Sequence, residues 1–378
     1  MKSSLYLHIP FCRRKCDYCD FNSFDSSGMS PQEYVPLLLD EMGARARRFS
    51  VSNVPTVYFG GGTPSLLQPS LVARLLQAAR EHFPMDAAAE ITREINPGTV
   101  TPESLHGYRS AGVNRLSVGV QSLDERELAL LGRIHTAGQA VETINAARRA
   151  GFDNIGLDLM HTLPGQSLSR WEKTLRQAVA LGVEHISAYG LSIEEGTPFG
   201  ARFARGELAP LDPELGADMF ALTRDSLQAS GYEHYEISNF ALPGFRSRHN
   251  QVYWRRGSYL GFGAGAHSFV RQTAAGLRWN NPSGLDEYAT YVAAGAVGDV
   301  EHISRHDAMA EFFFLGLRML EGVDLAAFAA EFGISAEKAF PTVLERFTDA
   351  GMLNREGDVL RLTGRGLMLA NRVLAEFV

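Results

Sequence analysis

The sequence predicts an α/β fold, a full or partial (β/α) barrel followed by a C-terminal domain that resembles a winged helix. Two observations predict it. Between Leu5 and Ser192, short β-type runs alternate with amphipathic helical stretches, and repeated β–α units form parallel sheets. From Ser304 onward, three helical stretches precede a segment with the pattern of a hairpin. An open, doubly wound sheet is the structural alternative for the first part.

Six runs of β-type sequence predict the strands of the barrel. They are Leu5–Pro10, Thr56–Gly62, Glu90–Asn96, Arg115–Ser122, Asn154–His161 and His185–Ser192. Apolar residues spaced three and four apart predict the intervening helices, at Gln32–Arg48, Ser70–His82, Pro102–Ser110, Gly138–Ala150 and Leu168–Leu181. Active groups of a (β/α) barrel lie at the C-terminal ends of its strands, so site residues are expected there.

We expect three parts along the chain: a barrel core at 1–210, a less regular extension at 211–303 and a C-terminal domain at 304–378. In the last part, three helices are predicted at Asp307–Leu320, Leu325–Phe332 and Ser335–Ala350. A hairpin at Met352–Leu362 and another helix follow. Winged helices often bind DNA, but this one has few clustered lysines and arginines, so a packing or interaction role is favoured.

Composition excludes several classes of protein. The chain has 378 residues, is 45% hydrophobic and has a formal net charge of −7, which gives no general attraction to nucleic acid or to an anionic membrane. No apolar run approaches the roughly 20 residues that span a bilayer, so we expect no integral membrane segment. Met1–Pro10 is too short and too strand-like for a signal peptide, which predicts a cytoplasmic protein.

Three cysteines, Cys12, Cys16 and Cys19, form a C-x3-C-x2-C motif directly after the first predicted strand. An odd count excludes a fully paired disulfide framework within the chain and fits a reducing compartment. Closely spaced thiolates are suitable ligands for an iron–sulfur cluster. Since three thiolates cannot fill four iron sites, one iron is left for another ligand. A zinc site completed by His8 or another histidine is the alternative.

This motif at the end of a first strand resembles that of the radical S-adenosylmethionine (SAM) superfamily. The run Gly60–Pro64 closes the second predicted strand, where glycines let a ligand approach the backbone. The resemblance implies a radical SAM partial (β/α) barrel with a [4Fe–4S] cluster held by the three cysteines. It also implies that the amino and carboxylate groups of SAM chelate the open iron, and that the reduced cluster cleaves SAM to methionine and a 5′-deoxyadenosyl radical.

More closely, the chain is similar to the subgroup that contains the oxygen-independent coproporphyrinogen III oxidases and related heme chaperones. The matching stretches are Tyr6–Pro10, Gly60–Pro64, Glu94–Pro97, Asn114–Ser122, Leu131–Arg133 and Asp158–Gly165. Carried over residue by residue, the resemblance implies eight SAM contacts: Tyr6, Gly61, Gly62, Thr63, Glu94, Gln121, Arg133 and Asp158. All except Arg133 lie on, or just beyond, predicted strand ends.

Two of these contacts, Glu94 and Asp158, are carboxylates inside mostly apolar predicted strands. An unpaired carboxylate would be costly there, so a hydrogen-bonding ligand such as SAM is a suitable partner. Without that context, either carboxylate would more often be a helix cap or part of an ion pair, and Arg133 would be a solvated surface residue.

The chain differs from the oxidases near the cluster motif. They carry an additional cysteine two residues past the third, where this chain has Phe21, and they have a long segment before the motif, where this chain has eleven residues. The stretch His249–Trp254 instead matches the HNxxYW motif of the heme chaperones. Imidazole is a common axial ligand of heme iron, and an aromatic pair offers flat apolar surface. His249, Tyr253 and Trp254 are therefore expected heme contacts, with a packed structural histidine as the alternative.

The resemblance thus predicts a heme chaperone that binds a [4Fe–4S] cluster, SAM and heme, and passes heme to an acceptor protein that the sequence does not identify. An electron donor such as a flavodoxin or ferredoxin is expected, and no nucleic acid. An active coproporphyrinogen III oxidase, or another radical SAM enzyme of porphyrin metabolism, is the alternative function. The stretch Gly261–Ala266 fits a loose dinucleotide-binding pattern but lacks the βαβ setting, so a tight turn is predicted there.

Overall fold

A 12-stranded sheet organises the computed structural model, which describes residues 1–25, 28–209, 212–272 and 274–378. The strands are β1 Ser4–Ile9, β2 Val54–Gly61, β3 Met85–Ile95, β4 Arg115–Gln121, β5 Ile155–His161, β6 His185–Gly190, β7 Glu233–Glu236, β8 Asn239–Ala241, β9 Tyr259–Phe262, β10 His267–Gln272, β11 Ala275–Asn280, β12 Glu301–Ile303, β13 Val323–Asp324, β14 Leu353–Glu356 and β15 Val359–Leu362. The predicted boundary between 210 and 211 falls on two residues outside the described part of the chain.

The helices alternate with the first six strands and then cluster near the C-terminus. They are α1 Pro31–Arg48, α2 Pro69–His82, α3 Pro102–Ala111, α4 Glu125–Leu130, α5 Ala137–Arg149, α6 Leu168–Ala180, α7 Pro198–Ala204, α8 Pro213–Ala229, α9 Arg248–Trp254, α10 Leu285–Ala293, α11 Arg305–Gly316, α12 Leu325–Phe332, α13 Ala336–Ala339, α14 Pro341–Asp349, α15 Gly364–Met368 and α16 Ala370–Ala375. A 3₁₀ helix, Pro64–Leu66, follows β2. None of the helices in the described ranges is long and apolar enough to cross a membrane.

The parallel strands β1 to β6 lie side by side in chain order, with β9 added parallel to β1 and β8 antiparallel to β6. A doubly wound sheet reverses its strand order at a switch point, and these six strands show no reversal. The predicted α/β fold with a parallel sheet is confirmed. Because β12 and β7 end the sheet, it forms an unclosed, partial barrel.

Most residues of β1 to β6 are buried, as expected where helices cover a parallel sheet. In β4, six of the seven residues are buried. A large apolar core joins these strands to the covering helices and includes Leu7, Phe59, Val118 and Trp171, each fully buried.

A second apolar core belongs to the C-terminal segment and is built on Phe313, Phe328 and Phe377. The predicted hairpin is present as β14 and β15, with β13 pairing on β15. The single helix predicted at Ser335–Ala350 is wrong, because it divides into α13 and α14 at Pro341. Proline has no backbone N–H and its ring clashes with the preceding helical turn, so it begins α14 rather than continuing α13.

The turn between β9 and β10 is tight, as predicted for the stretch with the dinucleotide-like pattern. Gly263 and Gly265 have φ angles of 105° and 73°, which favour glycine. Helix α1 supports the turn, since the Tyr34 hydroxyl accepts a hydrogen bond from Ala264 N at 2.8 Å. No βαβ unit follows the turn, because the chain continues into β10, antiparallel to β9.

Candidate functional site

A cavity of about 310 Å³ opens at the C-terminal ends of the parallel strands. Ten of the fourteen predicted site residues line it: Cys12, Cys16, Cys19, Gly61, Gly62, Thr63, Glu94, Gln121, Arg133 and Asp158. Tyr6, His249, Tyr253 and Trp254 do not line it. The fold therefore brings together residues from the loop after β1, the ends of β2 to β4, the middle of β5 and the segment after α4.

The cysteine loop is fixed to the sheet at both ends. Cys12 N donates to Phe24 O at 2.8 Å, and Phe24 N donates to Pro10 O at 2.7 Å. Cys19 N donates to Cys16 O at 3.1 Å, which makes a turn between the last two cysteines. All three thiols are free and partly buried, and burial raises the pKa of the Cys19 thiol. The loop thus presents three unpaired thiols to one cavity.

The donor set fits an iron–sulfur cluster better than a single metal ion. In the described ranges, no three His, Cys, Asp or Glu side chains converge as ligands of one ion. A [4Fe–4S] cluster binds each thiolate at a different iron, so its ligands need not converge. His8 does not complete a zinc site, because its ring nitrogens are hydrogen-bonded to the Tyr6 hydroxyl at 3.0 Å and to Asn22 O at 2.8 Å.

Glycine is required where β2 meets the cysteine loop. A Cβ atom at Gly62 would lie 2.9 Å from Cys12 Sγ and 2.8 Å from Phe11 O, both inside contact distance. At the preceding Gly61, φ is 119°, a conformation that side chains disfavour. The glycine run therefore allows the backbone to pass directly beneath the first cysteine.

Glu94 is held at the end of β3 with both carboxylate oxygens engaged. The Tyr58 hydroxyl donates to Oε1 at 2.8 Å, and Gly61 N donates to Oε2 at 3.2 Å. Burial raises the pKa of Glu94 to about 7, and the nearby Asp158 carboxylate adds to the effect. A cationic ligand in the cavity would favour the charged form of this carboxylate.

Asp158 lies in the middle of β5, and its oxygens accept hydrogen bonds from Ser117 Oγ at 3.2 and 3.1 Å. Burial raises the pKa of Asp158, and Ser187 and Ser117 oppose that shift by hydrogen bonding to the carboxylate. On the neighbouring strand, Gln121 has a φ of 65°, which a non-glycine residue rarely adopts. Such backbone strain is most often found at functional sites.

Arg133 reaches the cavity from the segment after α4 rather than from a strand. Its guanidinium donates to Cys16 Sγ at 3.3 Å, to Asn96 Oδ1 at 2.7 Å and to Gly119 O at 2.6 Å. The solvated surface position that is the usual alternative for an arginine is wrong here. This cation instead lies between the cysteine loop and the strand ends.

The HNxxYW motif forms α9, and its residues face different surroundings. His249 is 1% exposed, and its ring nitrogens are hydrogen-bonded to Thr56 Oγ1 at 2.7 Å and to the Tyr253 hydroxyl at 2.8 Å. Burial lowers the pKa of His249 to about 3, so its imidazole is neutral. Ligation of heme iron by His249 would require one of these hydrogen bonds to break.

The remaining predicted heme and SAM contacts lie beside this histidine or beyond it. Tyr6 and Tyr58 pack near the His249 ring, with centroid distances of 6.5 and 4.9 Å. Trp254 lines a separate cavity, and the Arg318 guanidinium lies 4.3 Å from the centre of its ring. The motif residue that lines the main cavity is Asn250, which the sequence interpretation passed over.

Several other cavity residues were missed from the sequence, and one signal could have found some of them. Arg115, Ser117 and Gly119 line the cavity together with the predicted Gln121, and the four occupy alternate positions of β4. Alternate residues of a strand share a face, so this run of polar and small residues marks the inward face of the barrel. Tyr58, Asn96, Ser187 and Asn250 also line the cavity.

Comparison with known proteins shows which family the chain belongs to. The model of the radical SAM superfamily matches residues 6–178, and the model of the HemN C-terminal domain matches residues 303–369. The heme chaperone HemW of Mycobacterium tuberculosis is 37% identical over 98% of this chain and 93% of its own length. HemW of Escherichia coli K12 is 37% identical over 99% of this chain and 98% of its own length.

The chain belongs to the HemW family of the radical SAM superfamily. Membership in the superfamily implies SAM and a [4Fe–4S] cluster. Among solved structures, the coproporphyrinogen III oxidase HemN of E. coli, a radical SAM enzyme, is similar with a TM-score of 0.85 and 25% identity. The likeness covers 99% of this chain and 89% of HemN. The family resemblance predicted from the motifs is therefore confirmed, as is the radical SAM fold.

Proposed function

We propose that this chain is a heme chaperone that holds a [4Fe–4S] cluster, SAM and heme, and transfers heme to an acceptor protein. The observation that carries the proposal is its identity of 34–37% to bacterial heme chaperones over nearly its full length. In this proposal, Cys12, Cys16 and Cys19 are the cluster ligands. A flavodoxin or ferredoxin is the expected class of electron donor.

For SAM, we assign the contacts by charge. Glu94 accepts a hydrogen bond from the amino group of SAM, since its buried carboxylate, with a pKa raised to about 7, is favoured in the charged form by such a donor and by the cationic sulfonium. Arg133 pairs with the SAM carboxylate, because a guanidinium suits carboxylates. The hydroxyls of the ribose donate hydrogen bonds to the Asp158 carboxylate, and the Gln121 amide donates to them or accepts from them. Tyr6 does not line the cavity and acts indirectly, by positioning His8 and Tyr58 through its contacts with them.

Gly61, Gly62 and Thr63 line the cavity where β2 meets the cysteine loop, so their backbone lies beside the methionyl part of SAM in this proposal. When bound, the cluster and SAM would supply one-electron chemistry at the open iron. The chain's own contribution is to fix the thiols, to balance the charges of SAM and to keep the site partly closed to water. For heme, we retain His249, Tyr253 and Trp254 as proposed contacts. His249 would ligate iron once its hydrogen bond to the Tyr253 hydroxyl breaks.

An oxygen-independent coproporphyrinogen III oxidase is the second candidate, and the similarity to HemN favours it. Phe21 weighs against this candidate, because it occupies the position of the oxidases' additional cysteine. Its ring lines the cavity and is 62% exposed, so it offers an apolar surface where the oxidases have a thiol. A flat porphyrin could pack on this ring.

The test begins with anaerobic assembly of the cluster, which should give about four iron and four sulfide per chain. Replacing any one of the three cysteines with alanine should prevent assembly.

The assembled protein is then tested in two separate assays. One supplies coproporphyrinogen III, SAM and dithionite, and the other supplies heme followed by apomyoglobin as acceptor. We expect no vinyl products and net transfer of heme. Decarboxylation at a catalytic rate would instead establish the oxidase, and zinc in place of iron would contradict both candidates.

A further inference from the structure

A continuous chain of hydrogen bonds joins two of the proposed cluster ligands. From Cys12, Sγ lies 3.5 Å from Thr63 Oγ1, which lies 3.0 Å from Asn96 Nδ2. On the other side of the same amide, Asn96 Oδ1 lies 2.7 Å from Arg133 Nη2, and Arg133 Nη1 lies 3.3 Å from Cys16 Sγ. Asn96 is the middle of this chain and contacts neither sulfur.

The direction of each hydrogen bond follows from the chemistry of the groups. Arginine has donors only, so the Asn96 oxygen must face Arg133. The Asn96 amide nitrogen then faces Thr63 and donates to its hydroxyl oxygen. This leaves the Thr63 proton free to point at Cys12. Both ends of the chain therefore donate to a sulfur, and the orientation of one amide determines both.

The rest of the site holds Asn96 in this orientation. Its backbone N donates to Ser65 Oγ at 3.2 Å, and the Thr99 hydroxyl donates to its carbonyl at 2.6 Å. Gly119 leaves room for the amide, because a Cβ atom there would lie 2.7 Å from Asn96 Oδ1 and 3.4 Å from Arg133 Nη2. The amide is thus fixed through its backbone, its side-chain partners and the space around it.

We propose that Asn96 is a positioning residue that raises the reduction potential of the cluster by orienting Thr63 and Arg133 as donors to two of its three thiolates. The proposal rests on the assignment of Cys12, Cys16 and Cys19 as cluster ligands. Reduction adds negative charge to the cluster and its sulfurs, and hydrogen bonds to those sulfurs stabilise the added charge. Loss of the two donors makes reduction harder.

The experiment is a redox titration of the assembled cluster, followed by electron paramagnetic resonance, in the unaltered protein and in Asn96→Ala. We expect a tenfold less favourable reduction equilibrium in the variant, which is a midpoint shift of about −59 mV for a one-electron couple. Thr63→Val removes the donor to Cys12 and the acceptor of the Asn96 amide but keeps the hydrogen bond between Asn96 and Arg133, so it should give a smaller shift in the same direction. Asn96→Ala should add less in the Thr63→Val background than alone, because the two residues act through one contact.

Asn114→Ala is the matched control. Asn114 makes two hydrogen bonds of 2.8 Å to the backbone in the middle of β3 and does not line the cavity, so its loss should cost stability without moving the potential. Equal potentials in Asn96→Ala and the unaltered protein, at about four iron per chain, would overturn the proposal. If Asn96→Ala loses its iron, an unshifted Thr63→Val protein overturns it. Failure of the unaltered protein to assemble a cluster is a different result and would overturn the proposed function as well.

Discussion

Glu94 combines a raised pKa with a position where a cation is expected. Its folded-state pKa of about 7 lies above the ordinary value of 4.5, so the folded protein holds this proton more tightly than the unfolded chain. The stabilising contribution is complete below pH 4.5 and is lost as pH rises through 7. Cationic SAM bound with its amino group donating to Glu94 would favour the charged carboxylate and reduce this loss.

The first prediction compares Glu94→Gln with the unaltered protein from pH 5 to pH 8, without SAM. As pH rises from 5 to 8, the unfolding free energy of the unaltered protein should fall, relative to that of the variant, by on the order of 1–3 kcal/mol. One pKa unit corresponds to about 1.4 kcal/mol. Urea denaturation measures the difference, and the buried histidines affect both proteins alike. Glu345→Gln, at an exposed carboxylate, is the control. A pH-independent difference would contradict the raised pKa, and SAM that fails to reduce the pH dependence would contradict the contact between Glu94 and SAM.

His249 is neutral and buried, and its Nε2 is hydrogen-bonded to the Tyr253 hydroxyl. If His249 ligates heme iron, Tyr253→Phe removes that competing hydrogen bond and should tighten heme binding by about fivefold, the value of one net hydrogen bond of ~1 kcal/mol. His249→Ala should weaken binding and shift the Soret band. Unchanged heme affinity and spectra in both variants, with a lower melting temperature for His249→Ala, would show that His249 only packs.

Helix α1 anchors the turn between β9 and β10 through a fully buried carboxylate. Glu41 accepts hydrogen bonds from Gly263 N at 2.9 Å, Asn281 Nδ2 at 2.8 Å and the Tyr288 hydroxyl at 2.7 Å. Arg45, 2% exposed, lies 3.6 Å from the same carboxylate. The turn therefore depends on a buried ion pair on the helix rather than on its own glycines alone.

Removing Glu41 leaves a buried arginine without its carboxylate, so Glu41→Ala should lower the free energy of unfolding by about 3–5 kcal/mol. Glu33→Ala, on the exposed first turn of the same helix, removes part of a capping box and should cost about 1 kcal/mol. Urea denaturation of both variants measures the difference. Equal losses in the two proteins would contradict the anchoring role.

The strands of the barrel were predictable because most of their residues are buried and they read as short β-type runs between turns, even where polar residues line the cavity, as in β4. The segment after them was harder to predict. Helix α8 begins at Pro213, capped by the Asp212 side chain, yet its apolar face is weaker than those of the barrel helices. The break between α13 and α14 follows from Pro341, whose effect is local and could have been predicted.

The C-terminal segment packs its own core against the extension of the sheet through Phe269. Buried charges join the two: Arg256 lies 3.0 Å from Glu311 and 3.3 Å from Glu331. Arg278 also pairs with Glu311. The side chains of Arg256 and Glu311 are only 3% and 5% exposed. Water therefore cannot solvate either charge if the ion pair is broken.

Glu311→Ala should therefore loosen this contact and cost about 3–5 kcal/mol, with faster proteolysis of the C-terminal segment. Glu376→Ala, which breaks an ion pair between Arg346 and Glu376 whose side chains are 49% and 40% exposed, should cost less than about 1 kcal/mol. Limited proteolysis followed by mass spectrometry locates the cleavage sites. Cleavage of Glu311→Ala at the same rate and sites as Glu376→Ala would contradict this account.

Much of the candidate site was also predictable, because its members lie at strand ends that a parallel sheet brings to one edge. The sequence could not show which atoms engage each other across strands. Asn96 bridges Thr63 and Arg133, and His249 is hydrogen-bonded to Thr56. Both contacts depend on packing between distant segments. The heme motif was recognised as a pattern, but its surroundings were visible only in the fold.

Binding of heme as cargo is tested by a heme titration of the cluster-loaded protein under anaerobic conditions. Absorbance in the Soret region should saturate at about one heme per chain and should persist when excess heme is removed by gel filtration. A titration without saturation, or loss of all heme on the column, would contradict the claim.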